Sequence, residues 1–176
     1  MSEDAMILSG IKVLDAASFI AGPVATTIMA DFGAEVIKVE PPMGDGYRAI
    51  TGVAGMPKTE APYHWLVDNR SKRGLALDLS TDAGREVMYK LVAEADVFVT
   101  NFMPSVREKL GLLYEDLAPL NERLIYGSMS AYGETGPEAG QTGFDTTAYW
   151  ARSGLMDLVR PDPDGDPARS MAGMGD

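Results

Sequence analysis

The sequence predicts an α/β domain built on a mostly parallel sheet. Short apolar runs alternate with longer segments of helical period, and breakers rich in Gly and Pro separate them. Residues 11–40 also read as a complete strand–helix–strand unit. Such a unit places two parallel strands side by side through a right-handed crossover.

The elements follow in order. "IKVLDA" (11–16) is a short buried strand, and "ASFIAGP" after it is a turn of small residues. "VATTIMADFG" (24–33) reads as a helix closed by Gly33. "AEVIKVE" (34–40) is the next strand, stopped by "PPMGDG". Residues 41–62 hold much Gly and Pro without a period, which predicts a long loop. "YHWLVDN" (63–69) predicts a short helix, and "GLALDL" (74–79) alternates as a strand does. "STDAGREVMYKLVAEA" carries a Ser/Thr cap, then Val87, Met88, Leu91 and Val92 at helical spacing. "DVFVTN" (96–101) is a strand, "SVREKLG" and "YEDLAPLN" are short helices, and "RLIYGSMS" (123–130) is a strand. "ETGPEAGQTG" is a loop, "FDTTAYWARSG" a helix ending at Gly154, and "RPDPDGDP" a turn.

Composition narrows the function. The 176 residues suffice for one domain with a real core. Fifteen basic against 26 acidic residues give a net charge of -11, which disfavours a general nucleic-acid or anionic-membrane binder. The chain has no cysteine, so disulfides and thiolate metal sites are excluded, and its one histidine, His64, leaves no metal expected. No apolar run approaches the roughly 20 residues of a membrane span. "MSEDAMILSG" lacks the charged start and apolar stretch of a signal peptide, so a cytoplasmic location is expected.

Open α/β sheets bind ligands beyond the carboxyl ends of their strands. Those positions hold Ser18 to Pro23, then Glu40, Asn101, and Ser130 to Gly133. These loops are rich in small or polar residues, as an extended anionic ligand approaching backbone requires. "NRSKR" (69–73) is the dense basic cluster; Arg70, Lys72 and Arg73 are either phosphate ligands or a solvated strand entrance. No G-x-G-x-x-G follows the first strand and no Walker loop occurs, which removes support for standard NAD and P-loop readings. Ser18, Ser128 and Ser130 lack a nucleophile elbow, and His64 beside Trp65 reads as a packed or surface residue. Asp145 and Asp176 both follow glycine-containing turns, and spacing alone assigns neither a role. "MAGMGD" (171–176) nonetheless delivers a carboxylate through a glycine-lined approach.

Taken together, these blocks resemble the class III CoA-transferases, the group of formyl-CoA and carnitine CoA-transferases. "GIKVLDAASFIAGPVATTIMADFGAEVIKVEPPMGD" resembles the family's opening. "NRSKRGLALDLSTDAGREVMYKLVAEADVFVTNFMP" followed by "REKLGL" resembles its next block. "LIYGSMSAYGETGP" and "GFDTTAYWARSGLM" resemble its later signatures. The resemblance implies a Rossmann-like, mostly parallel sheet with helices on both faces. Residues 1–176 would be the N-terminal part of the large CoA-binding domain, with the rest of that domain and a small domain outside this chain. It also implies an interlocked homodimer for the full-length protein.

The family's catalytic aspartate falls on Asp176. A carboxylate there attacks the thioester of a donor acyl-CoA, giving an aspartyl-acyl anhydride and CoA thiolate. The thiolate attacks the aspartyl carbonyl, leaving an aspartyl-CoA thioester and the donor acid. An acceptor acid then regenerates an anhydride, and CoA departs on the new acyl group. Only a carboxylate nucleophile interconverts anhydride and thioester in this way, and nearby glycines would offer N–H donors to the oxyanion. Coenzyme A enters as acyl-CoA substrate. The resemblance puts Ile20 and Ala21 against the coenzyme and acyl end, Lys72 and Arg73 near its phosphates, and Asn101 and Lys109 among its contacts. Phe144 and Asp145 would line the substrate pocket.

Two alternatives stand beside CoA transfer. The related α-methylacyl-CoA racemases read "GHD" where this chain reads "GFD"; Phe144 can be neither base nor acid, which counts against an isomerase. The other is a CoA-binding fragment without turnover, and negligible activity is expected of the 176-residue chain alone.

Overall fold

The computed structural model describes residues 6–52 and 57–176. It divides into two compact units, Met1–Ser128 and Met129–Asp176.

The first unit is a five-stranded, wholly parallel sheet: β1 (Lys12–Asp15), β2 (Glu35–Glu40), β3 (Arg73–Ala76), β4 (Val97–Thr100) and β5 (Ile125–Ser128). The spatial order is β3-β2-β1-β4-β5. The chain builds outward in one direction from β1 through β2 to β3, then returns to add β4 and β5 on the other side. The order therefore reverses between β1 and β4, where an open α/β sheet forms its ligand crevice. Leu14 lies opposite Ile37 on one side and Phe98 on the other. β4, "VFVT", is buried at every position, as a central strand covered on both faces must be.

Strand residues alternate between faces. On one face Leu14, Val39 and Phe98 pack with Met88 and Val92 of α3 (Asp82–Val92), and with Leu112, Leu117 and Leu124. Thr81 caps α3 by accepting the Gly84 N–H at 3.1 Å. α4 (Pro104–Leu110) and α5 (Tyr114–Leu117) follow β4, and Gly111, at φ 67°, closes α4 in the left-handed conformation. The other face carries α1 (Ala21–Asp31), whose inward side is polar: Thr26 and Thr27 are fully buried.

Several boundaries differ from expectation. α1 begins at Ala21 rather than Val24, because Pro23 falls in the first turn, where a helix needs no N–H. The segment expected to be loop throughout contains a 3₁₀-helix, Gly46–Gly52; its residues 53–56 lie outside the described residues. The short helix expected at 63–69 is α2 (Tyr63–Asp68).

The second unit wraps around a π-helix, Asp145–Ala151, followed by α6 (Leu155–Leu158). Trp150 is buried and donates its indole N–H to the Ala168 carbonyl at 2.8 Å, tying the later loop to the helix. Arg152 pairs with Glu138 at 2.6 Å and ties down the earlier one. A helix was expected here, but its π character was not. No helix among the described residues is long and apolar enough to cross a membrane.

Candidate active site

The loop from β1 into α1 is fixed by buried charge. Asp15, the last residue of β1, is fully buried. It accepts from the Thr26 hydroxyl at 2.7 Å, the Lys72 ammonium at 2.8 Å and the Ala17 N–H at 3.1 Å. Lys38 of β2 is buried as well. Its ammonium donates to the Ala17 carbonyl and lies 3.6 Å from Asp15 and 3.1 Å from Asp45. Two ammonium groups thus face two carboxylates, and burying charge at low cost requires such pairing. Lys72 also donates to the Pro23 carbonyl at 2.6 Å and to Asn69 Oδ1 at 3.0 Å. Burial draws its pKa down, and the neighbouring Asp15 carboxylate opposes that shift.

Asn101, just past β4, completes the clamp across the reversal point. Its Oδ1 accepts the Ser18 N–H at 2.9 Å, and its side-chain NH₂ donates to the Ser18 carbonyl at 2.7 Å. Asp45 accepts the Phe19 N–H at 3.4 Å. Phe19 adopts φ 61°, a left-handed backbone that costs a bulky residue energy and persists only when its surroundings enforce it. Ile20 and Ala21, half-buried, then open α1 without a side-chain cap. Gly22 lets this first turn approach β1's loop: a Cβ there would lie 2.3 Å from the Ala17 Cβ. Gly22→Ala should therefore lower stability by about 1–3 kcal/mol through overpacking, read as a fall in the urea midpoint.

At the end of β2, Glu40 accepts two hydrogen bonds from Arg48, each at 2.7 Å, and the Asp45 N–H at 2.8 Å. Arg48 stacks on Trp65 with its guanidinium carbon 3.4 Å from the ring centroid. Burial pushes the Glu40 carboxyl up, but the hydrogen bonds from Arg48 and Asp45, with the charges of Arg48 and Lys38, hold it below its ordinary 4.5. A carboxyl depressed by folding contributes stability that is complete above its unfolded value and lost as pH falls through the folded one. Acid unfolding should accordingly show a loss beginning near pH 4.5, and Glu40→Gln should flatten that limb of the melting-temperature profile.

The structure separates the expected basic ligands. The Lys72 side chain is 1% exposed and its ammonium is ringed by protein oxygens, so it holds the loop from beneath and does not face solvent phosphate. Arg73 opens β3, at the amino end of the sheet away from the strand exits, beside Glu35 at 3.4 Å. That is the strand-entrance alternative. Arg70 donates to the Val67 carbonyl and pairs with Asp31. Lys109 is exposed on the last turn of α4. His64 packs against Tyr63, with centroids 3.7 Å apart, and against Tyr47. Lys38 and Asp45 were missed by sequence reasoning; a lone Lys inside the apolar strand "VIKV" was the available signal.

In the second unit, Phe144 is 64% exposed and ends in no proton-carrying group. Asp145, also expected to line a substrate pocket, has both carboxylate oxygens engaged. Oδ1 accepts the Thr146 N–H at 2.7 Å, and Oδ2 accepts the Gly173 N–H at 2.7 Å. Asp176 is exposed, and its N–H donates to the Gly173 carbonyl at 3.3 Å.

Comparison with known proteins identifies the family. The chain is 40% identical over 173 residues to the (R)-2-hydroxy-4-methylpentanoate CoA-transferase of Clostridioides difficile, covering 97% of this chain and 43% of that one. It is 41% identical over 172 residues to the mouse succinyl-CoA:glutarate CoA-transferase, covering 96% and 38%. The chain thus spans about two fifths of the length of these relatives. A crystal structure of a CAIB/BAIF family protein from Brucella suis superposes with a TM-score of 0.84 at 38% identity, covering 94% of this chain and 44% of that one. The family model described as CoA-transferase family III matches residues 8–176. With a parallel sheet reversing at a braced loop and a match across nearly its whole length, the chain belongs to CoA-transferase family III.

Proposed function

We propose that this chain is the N-terminal part of a CoA-transferase that moves coenzyme A from an acyl-CoA donor to a carboxylic acid acceptor. The observation that carries the reading is the family match running through to Asp176, a carboxylate presented by a glycine-lined loop. Asp176 takes the nucleophile's role, forming first an aspartyl-acyl anhydride and then an aspartyl-CoA thioester. Ile20, Ala21 and Asn101 form the rigid rim that receives the coenzyme, and Lys109 supplies an exposed positive charge toward it. Lys72 acts indirectly, by fixing that rim, and Arg73 falls outside the set. The full-length protein is proposed to act in the cytoplasm as a homodimer. Isomerisation at the acyl α-carbon finds no support in Phe144.

The test incubates the full-length protein with succinyl-CoA and a panel of acids that includes glutarate and (R)-2-hydroxy-4-methylpentanoate, the acids named for its relatives. A new acyl-CoA should form while free CoA stays low. Release of CoA by hydrolysis alone, or exchange of the α-proton in deuterated water without acid exchange, would contradict the reading.

A further inference from the structure

We propose that Asp145 is a positioning residue for the loop that carries Asp176. The inference rests on the reading of Asp176 as nucleophile and adds the device that aims it. Asp145 opens the π-helix, and the Phe144 N–H just before it donates to Thr147 Oγ1 at 2.9 Å. The Asp145 carboxylate serves both the helix's first turn and the loop ahead of Asp176, and its orientation is fixed by the two. One oxygen is held by the Thr146 N–H at 2.7 Å and the Thr146 hydroxyl at 3.2 Å; the other accepts the Gly173 N–H at 2.7 Å. A charge-assisted bond of this length is among the stronger single contacts available to a loop backbone.

A second contact comes from the same π-helix. Gly175 lies directly on the Tyr149 side chain: a Cβ at Gly175 would sit 2.5 Å from the ring atoms Cγ and Cδ1 and 2.6 Å from the Tyr149 Cβ. Gly173 adopts φ 74°, which a glycine allows, and the Asp176 N–H closes back onto its carbonyl. The last residues before Asp176 are therefore held at two points, Gly173 by Asp145 and Gly175 by Tyr149. Both holds come from one rigid element, as a precisely aimed group requires. A π-turn at a functional segment fits this role.

The test is single-turnover formation of the Asp176 adduct by the full-length protein with acyl-CoA, trapped with hydroxylamine and followed by mass spectrometry. Asp145→Ala should slow adduct formation and kcat by about 10²-fold, the scale of a 1 Å misplacement, with KM for acyl-CoA unchanged. Asp145→Asn keeps one acceptor oxygen for the Gly173 N–H but turns its NH₂ toward the Thr146 N–H, and should fall between the parent and Asp145→Ala. Should Asp145→Ala fail to fold, Gly175→Ala carries the test, since its Cβ must push the loop off Tyr149 and slow the adduct at unchanged KM. A parental adduct rate in a folded Asp145→Ala, or in Gly175→Ala should that variant carry the test, overturns the inference, as does an Asp145→Asn as slow as Asp145→Ala. Absence of any adduct at Asp176 in the parent overturns the nucleophile reading, and this inference with it.

Discussion

Asp176→Ala in the full-length protein is expected to lower acid exchange by about 10³-fold or more while leaving acyl-CoA affinity within a few fold. Thioester energy is conserved only if the acyl group and then CoA are both held covalently, and the side chain that accepts them must be a carboxylate. Alanine removes that acceptor. Asparagine preserves the shape but offers an amide of little nucleophilicity, so Asp176→Asn should be nearly as inactive. Asp176→Glu keeps the chemistry but displaces the oxygens by a methylene, and geometry within a reactive site is unforgiving at that scale. The ordering Asp, then Glu, then Asn and Ala, measured as kcat for acid exchange, separates a nucleophile from a residue that merely contributes charge. Binding should survive all of these changes, because the rim at Ile20, Ala21 and Asn101 is braced by contacts within its own unit.

The second large effect is on stability. Asp15→Ala should destabilise the fold by about 3–5 kcal/mol, because it strands buried ammonium groups without their shared carboxylate. Lys72 and Lys38 lie 2.8 and 3.6 Å from that carboxylate, and both side chains are 1% exposed. Neither can reach water without opening the loop between β1 and α1. Replacing one lysine alone should cost less than replacing Asp15, since Asp15 keeps the other lysine and the Thr26 hydroxyl. Urea denaturation of the single variants, with Lys38→Met and Lys72→Met compared with Asp15→Ala, checks the ranking. Equal stability of Asp15→Ala and the parent would show that the network does not hold the loop.

The sheet was legible because its signals are local and repeated. "VLDA", "EVIKVE" and "DVFVT" are short apolar runs between breakers, and each became a strand. The crossover unit of residues 11–40 likewise placed β1 beside β2, in parallel. Strand order was not legible, since β1 pairs with β4 across the chain and nothing local to either strand specifies it. The π-helix escaped for a related reason: "FDTTAYWARSG" has helical content, but nothing local to it specifies the wider turn. The basic cluster is divided by the fold. Lys72 and Arg73 are adjacent in sequence, yet one is buried against Asp15 and the other is exposed at a strand entrance. Charge in a sequence does not say which side of a surface it will occupy. The place of Asn101 after a strand is legible, but its grip on both polar groups of Ser18 depends on how β4 and the loop after β1 meet, which nothing local to either specifies.

The most direct measurement follows oxygen. Anhydride chemistry at Asp176 sends one of its carboxylate oxygens out with the donor acid and takes a replacement from the acceptor. Turnover by the full-length protein with an acceptor acid labelled with ¹⁸O at both carboxyl oxygens should therefore leave ¹⁸O in the peptide that carries Asp176, detected as a mass gain on that residue. Efficient acid exchange with no label at Asp176 would mean that the acids trade coenzyme A without passing through this side chain.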